Sequence, residues 1–195
     1  MSIDVAELER TELYSEELDI DLSTGEDDAL FAWFLASLLF GARISEEIAR
    51  NTYRAFERHG LLSPERISDA GFEFLVDPVM REGGYVRYDN RRSRQVLRDC
   101  ETLEAEYGGS LNALHDAASD SDDLEARVDD FYGVGPVTTN IFLRELRTVW
   151  KKADPDPLPV VVETADRLGV DLDGYDRKSE TFARVEAGLV RRRRD

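Results

Sequence analysis

Apolar residues recur along this chain at intervals of three and four, and nowhere alternate with polar ones for long enough to draw a strand. Leu30, Phe31, Phe34, Leu35, Leu38 and Leu39 mark a helix starting at Asp27 or Asp28; it is apolar nearly all round and is predicted to lie at the centre of the core. Its apolar run, Ala29 to Ala42, is broken only by Ser37 and Gly41 and falls short of the roughly 20 residues a membrane span needs. The acidic stretch Asp4 to Gly25 carries weaker periodicity through Val5, Leu8, Leu13 and Leu18, enough for a short helix packed on the body. Start signals follow at Ser45-Glu46-Glu47, at Ser63-Pro64-Glu65 and at Asp89 or Asn90; stop signals stand at Gly60, Gly71, Gly83-Gly84 and Gly108-Gly109. Further helices are expected over 72–82, 110–117, 122–131, 136 to about 151, 158–168 and 178–192. The fold class is all-α.

Composition adds a compartment and a milieu. With 195 residues, 42% of them hydrophobic, the chain can build a real core. A single cysteine, Cys100, excludes an internal disulfide, a four-cysteine zinc site and a cysteine-ligated iron–sulfur cluster, and points to a reducing cytoplasm. Met1-Ser2-Ile3-Asp4 does not open a secretory signal. Asp and Glu number 42 against 25 Lys and Arg, a net charge of −17, and the basic residues are almost all arginine. A carboxylate-rich, lysine-poor surface stays soluble where salt screens its self-repulsion, so a halophilic, archaeal protein is expected. An acidic protein with basic partners has the same composition, and local basic strips can exist on an acidic body.

The most specific segment is Phe131-Tyr132-Gly133-Val134-Gly135-Pro136-Val137-Thr138-Thr139-Asn140. Gly133 and Gly135 are expected to take backbone angles closed to other residues and to let another backbone approach closely. Pro136 then begins a helix without wasting an amide. The free amides of such a hairpin suit a phosphate of a nucleic-acid strand, held without reading sequence. Taken alone, Gly-Val-Gly favours a plain turn between helices over a phosphate grip. Arg87, Arg91, Arg94 and Arg98, spaced by four, three and four, share one helical face, with Arg92, Tyr85 and Tyr88 beside them. They can carry phosphate contacts, or form a solvated face paired with surplus carboxylates. His59 and His115 stand alone, and no metal site is expected.

The hairpin segment resembles the helix-hairpin-helix of the endonuclease III-like DNA glycosylase superfamily. Leu35 through Ser45 resembles that family's buried early helix and the turn after it, Tyr88 through Leu97 the helix start beside the lesion pocket, and Val161 through Gly169 the helix after the catalytic aspartate. The resemblance covers about residues 28–169. It implies a two-lobed helical bundle: a barrel over 28–150 ending in the hairpin, and a second lobe from 1–27 plus 151–195. The implied partner is double-stranded DNA carrying a lesion, bound by a monomer, with the damaged nucleotide flipped into the cleft between lobes. DNA contacts are expected from Gly133, Val134, Gly135, Thr138, Arg43, Arg87, Tyr88, Arg91 and Arg94, with a monovalent cation as the one cofactor the hairpin could hold.

The chain departs from the family pattern where chemistry would sit. Val137 occupies the position of the lysine that forms a Schiff base in bifunctional members, and the cluster cysteines are absent. Lys151 and Lys152 lie one helix away; Lys152 is the candidate substitute amine, a solvated helix-end residue being the alternative. The catalytic aspartate falls at Asp154 or Asp156, with Asp154 preferred; both are also ordinary turn residues beside prolines. Arg43, near the place of a glutamine that fills the gap left by a flipped base, can do that or pair with Glu46 or Glu47. The expected activity is removal of a damaged base with or without strand cleavage, the alternative a DNA-binding protein that has lost catalysis.

Overall fold

Every regular element in the computed structural model, which describes residues 4–193, is helical, with no β-strand among them. The α-helices are α1 (Val5–Leu8), α2 (Tyr14–Glu17), α3 (Asp27–Phe40), α4 (Glu46–Arg58), α5 (Pro64–Phe74), α6 (Asp89–Tyr107), α7 (Leu111–Ala117), α8 (Ser121–Asp129), α9 (Pro136–Arg144), α10 (Pro159–Leu168) and α11 (Glu180–Arg191). Caps fall where serine and glycine predict them: the Ser45 and Ser63 hydroxyls accept from the Ile48 and Arg66 amides, and Gly108 closes α6 at φ +62°. Gly71, at φ +77°, kinks the chain as α5 runs on into a π-helical turn over Leu75–Met80.

Helix α3 is the hub. Residues Leu30 through Leu39 are all buried, and the Trp33 indole donates to the Phe142 carbonyl of α9 at 3.0 Å. Neither Asp27 nor Asp28 caps it; Asp27 instead accepts from the Ser110 hydroxyl at 2.8 Å and the Asn112 amide at 3.0 Å, tying α3 to α7. At its far end a Cβ on Gly41 would lie 2.0 Å from Thr138 Oγ1, so only glycine lets the end of α3 approach the first turn of α9. That contact buries Thr138, so its side chain is packing rather than an exposed DNA contact as the sequence suggested.

Two apolar cores result. The larger is built on α3 through α9 and also takes in Tyr14, Leu18, Ile20 and Leu22 from the N-terminal stretch. The smaller joins Leu8 of α1 to Val161, Ala165, Val170, Val185 and Leu189 of α10, α11 and their connection. The exposed area, 9677 Å², is close to the roughly 9400 Å² expected of a folded monomer of this mass. Helix α9 is shorter than its apolar pattern suggests. After Arg144 the chain tightens into i→i+3 bonds, Leu146 to Leu143 and Val149 to Leu146, which lets the Glu145 carboxylate accept the Tyr14 and Ser15 amides at 3.0 Å each.

Candidate nucleic-acid interface

The hairpin between α8 and α9 is anchored by Phe131, which is buried with its ring 5.1 Å from that of Phe34. The Val134 amide donates to the Phe131 carbonyl at 3.1 Å and closes the turn, so it is spent internally and offers nothing to a ligand. The amides of Gly133, Gly135, Val137 and Thr138 have no partner among the described residues. Gly133 sits at φ +70°, and a Cβ there would fall 3.1 Å from the Gln95 side chain. Gly135 differs from expectation: at φ −144° and ψ −179° it is ordinary extended backbone, and a Cβ there would meet nothing within 4 Å. It leaves open space in front of the N-terminus of α9.

Helix α6 lies behind the hairpin and carries Arg91, Arg92, Arg94 and Arg98; Arg87 precedes it, cut off from the expected helical face by Tyr88 at φ +65°. The Arg98 guanidinium stacks on the Tyr132 ring at 4.3 Å, Arg94 on Phe72 at 5.0 Å and Arg87 on Tyr88 at 5.1 Å. Arg92 donates to the Tyr85 hydroxyl at 3.3 Å and to Gln95. Among the described residues no arginine of the strip pairs with a carboxylate, whereas Arg50, Arg54, Arg127 and Arg184 elsewhere all do. The alternative of a face paired with surplus carboxylates is therefore not what the structure holds. Arg87, Arg91, Arg94 and Arg98 are exposed, as are Val86 and Tyr88 at the start of the strip.

Under the hairpin lies a group that the sequence reading passed over. Asp99 is buried, its carboxyl oxygens lack partners at hydrogen-bond distance, and burial pushes its pKa up to about 8; the Tyr132 amide, Gln95 and the charges of Arg92 and Arg98 pull it down only partly. Its one legible signal was an acidic residue on the apolar stripe formed by Val96, Cys100 and Leu103.

The proposed chemical groups are drawn into other contacts. Lys152 Nζ donates to the carbonyls of His115 at 2.7 Å and Asp116 at 3.4 Å, capping the end of α7. Asp154 and Asp156 are bridged by Arg177, at 3.0 and 2.9 Å, and the same guanidinium donates to the Asp154 and Pro155 carbonyls. Arg147, buried and paired with the buried Glu186, reaches the Pro155 carbonyl at 2.6 Å. Lys178 Nζ clamps the Trp150, Lys151 and Ala153 carbonyls.

Two depressions flank the first turns of α9, and a third, about 450 Å³, reaches its last residue, Arg144, among Glu16, Asp19 and Asp21. One, about 380 Å³, is lined by Pro136, Thr139, Asn140 and the carboxylates of Glu125, Asp129 and Asp156. The other, about 340 Å³, is the cleft where Val137 faces Leu158, with Tyr14, Arg43 and Arg144 beside them. Asp156 thus borders α9 on one side and Val137 the other, and Asp154 lines neither. Arg43 is exposed at the cleft and pairs with neither Glu46 nor Glu47. Arg191, Arg192 and Arg193 of the closing run pair with Glu17, Glu7 and Glu46; Arg194 lies outside the described residues. No group of three or more His, Cys, Asp or Glu able to hold a metal occurs among the described residues, and no helix is long and apolar enough to cross a membrane. No protein-family model, curated protein or solved structure matches the chain.

Proposed function

We infer that this protein binds duplex DNA through its helix-hairpin-helix, as the resemblance to the DNA glycosylase superfamily implies. The observation that carries the reading is the juxtaposition of unbonded hairpin amides with a strip of arginines left unpaired on a chain of net charge −17. Carboxylates outnumber the guanidiniums, and most arginines elsewhere are paired. A face of exposed, unpaired guanidiniums stacked on aromatic rings is preorganised for phosphates, which such groups hold without reading base sequence. Gly135 gives a phosphate room to reach the amides of α9, where the helix dipole favours an anion.

Within that reading the protein is a binder first. Where bifunctional glycosylases carry a Schiff-base lysine this chain has Val137, which cannot attack, and the carboxylate that lines the same cleft, Glu46, is held by Arg50, Arg193 and the Tyr14 hydroxyl. One observation favours base removal instead: the Asp156 side chain is 90% exposed and lines the depression beside Pro136, so its carboxylate can reach a bound sugar.

The test is fluorescence anisotropy with intact duplexes of several sequences in molar salt, paired with base-release assays on lesion-bearing oligonucleotides. Binding that is alike across sequences, with no base released, is the expected result. Absence of duplex binding overturns the reading. Base release abolished by Asp156→Asn or Asp154→Asn would establish the glycosylase instead.

A further inference from the structure

The cleft beside Val137 is lined by a guanidinium that finds no hydrogen-bond partner among the described residues. Arg144, at the end of α9, is 2% exposed, and its guanidinium makes no hydrogen bond or ion pair with any described residue; Nε and Nη1 are wholly buried. Its neighbour Glu145, whose carboxylate accepts the Tyr14 and Ser15 amides, lies near enough for the two charges to interact but makes no hydrogen bond or ion pair with the guanidinium. A buried guanidinium is costly unless acceptors meet it. Arg144 lies under the Tyr14 ring, 5.2 Å from its centroid, and both line the cleft.

The rest of the cleft says what kind of acceptor fits. The one carboxylate lining it, Glu46, is already used by Arg50, Arg193 and the Tyr14 hydroxyl, each at 3.1 Å. Arg43 stands unpaired at the same cleft. The walls between are aliphatic: Val137, Ile141, Leu158 and Val160. A volume near 340 Å³ is at the lower end of small-ligand sites. Two arginines without a carboxylate partner among aliphatic walls match an oxyanion carried on a less polar body. Two unpaired guanidiniums favour a dianion, as a phosphate monoester supplies, over a carboxylate or a singly charged diester. The cleft also begins at Val137, in the turn of α9 that presents unbonded amides.

We propose that this cleft binds a nucleoside phosphate monoester, with the phosphate on Arg144 and Arg43 and the sugar and base against the aliphatic walls. The anion site stands on Arg144 alone, while the nucleoside body rests on the DNA-binding reading. Two sources supply this chemistry, a free nucleotide or the 5′-phosphate at a strand break.

The test is calorimetric titration of the whole chain in molar salt with thymidine 5′-monophosphate, thymidine and inorganic phosphate. Thymidine 5′-monophosphate is expected to bind at least tenfold more tightly than either of the others. Arg144→Met should lose that preference, and so should Arg43→Ser and Leu158→Trp, which alter the cleft rim and wall without removing a buried charge. Equal binding of monophosphate and nucleoside, no binding of either, or unchanged affinity in Arg43→Ser and Leu158→Trp overturns the proposal. Nicked duplexes then separate the sources: several-fold tighter binding to a 5′-phosphate nick than to a 5′-hydroxyl nick assigns the strand end, and equal binding with the monophosphate preference intact assigns the free nucleotide. Intact-duplex binding is read separately. Its loss with monophosphate binding retained removes the DNA reading and leaves the cleft, and the reverse result removes the cleft alone.

Discussion

Gly133 and Gly135 are glycine for different reasons, and substitution separates them. Valine at 133 must adopt φ near +70° and push against Gln95, so Gly133→Val is expected to lose about 1–3 kcal/mol of stability in urea unfolding. Valine at 135 meets no atom and no strained angle, so Gly135→Val should fold as the parent does, and its only cost is steric exclusion of a phosphate. The sequence marked both glycines but could not tell them apart, because φ depends on how the turn closes. Asp99 was illegible for a related reason: its burial is a tertiary fact. With its folded pKa pushed up to about 8 by burial, against an unfolded value near 3.8, the unfolded chain releases a proton between pH 4 and 8 that the folded chain keeps. That group therefore disfavours folding increasingly as pH rises through this window, and the penalty levels off above it. Asp99→Asn removes the penalty and should stabilise the protein at pH 7 by on the order of a few kcal/mol, with no gain at pH 4. Unfolding at the two pH values in constant salt checks this; a less stable variant at pH 7 would mean that the carboxylate is ionised and bonded to the Tyr132 amide.

At the scale of elements, α6 and the loop after α9 carry opposite lessons. The spacing placed Arg91, Arg94 and Arg98 on one face of α6 from sequence alone, because helical periodicity is local; Arg87 was expected on that face too, but it precedes the helix, separated from it by Tyr88 at φ +65°. Their lack of carboxylate partners was not legible, since pairing depends on which helices pack beside them. Arg94→Ala with Arg98→Ala should weaken binding to all duplexes alike and lower the magnitude of the salt slope by roughly 2, measured as log affinity against log salt. Unchanged affinity would put the DNA elsewhere. In the loop, the spacing from the hairpin found Asp154 and Asp156 but not Arg177, which lies 23 residues from Asp154 in sequence and holds both. The sequence offers Lys152 as a candidate amine, whereas in the structure its ammonium caps α7. Lys152→Ala is expected to cost roughly 0.5–1.5 kcal/mol of stability while leaving duplex binding unchanged. Borohydride trapping on abasic DNA should be absent before and after the change, and trapping that Lys152→Ala abolishes would restore the lyase role.

For the whole molecule, the all-α class followed from periodicity, and the two cores follow from how the termini return: α1 packs on α11, so the smaller core joins the two ends of the chain. That closure is non-local and left no mark in the hydrophobic periodicity; the resemblance alone grouped 1–27 with 151–195, and of the first of these segments Leu8 joins the smaller core while Tyr14, Leu18, Ile20 and Leu22 join the larger. The charge of −17 was legible, and it acts on the molecule as a whole. Self-repulsion of this size should make stability rise steeply from low to molar salt. A circular dichroism titration that finds equal stability in dilute buffer and molar salt would contradict the halophilic reading. Because counterion release yields little in strong salt, duplex affinity there must rest on the hairpin amides and close guanidinium contacts.

The most direct measurement is duplex affinity of Gly135→Val against the parent chain in molar salt, with both thermal unfolding curves recorded in the same buffer. The account predicts superimposable unfolding and an affinity lowered at least tenfold, by the same factor for every duplex sequence. Equal affinities with equal stabilities would show that no phosphate approaches the hairpin, and a loss confined to particular sequences would show that the hairpin reads bases.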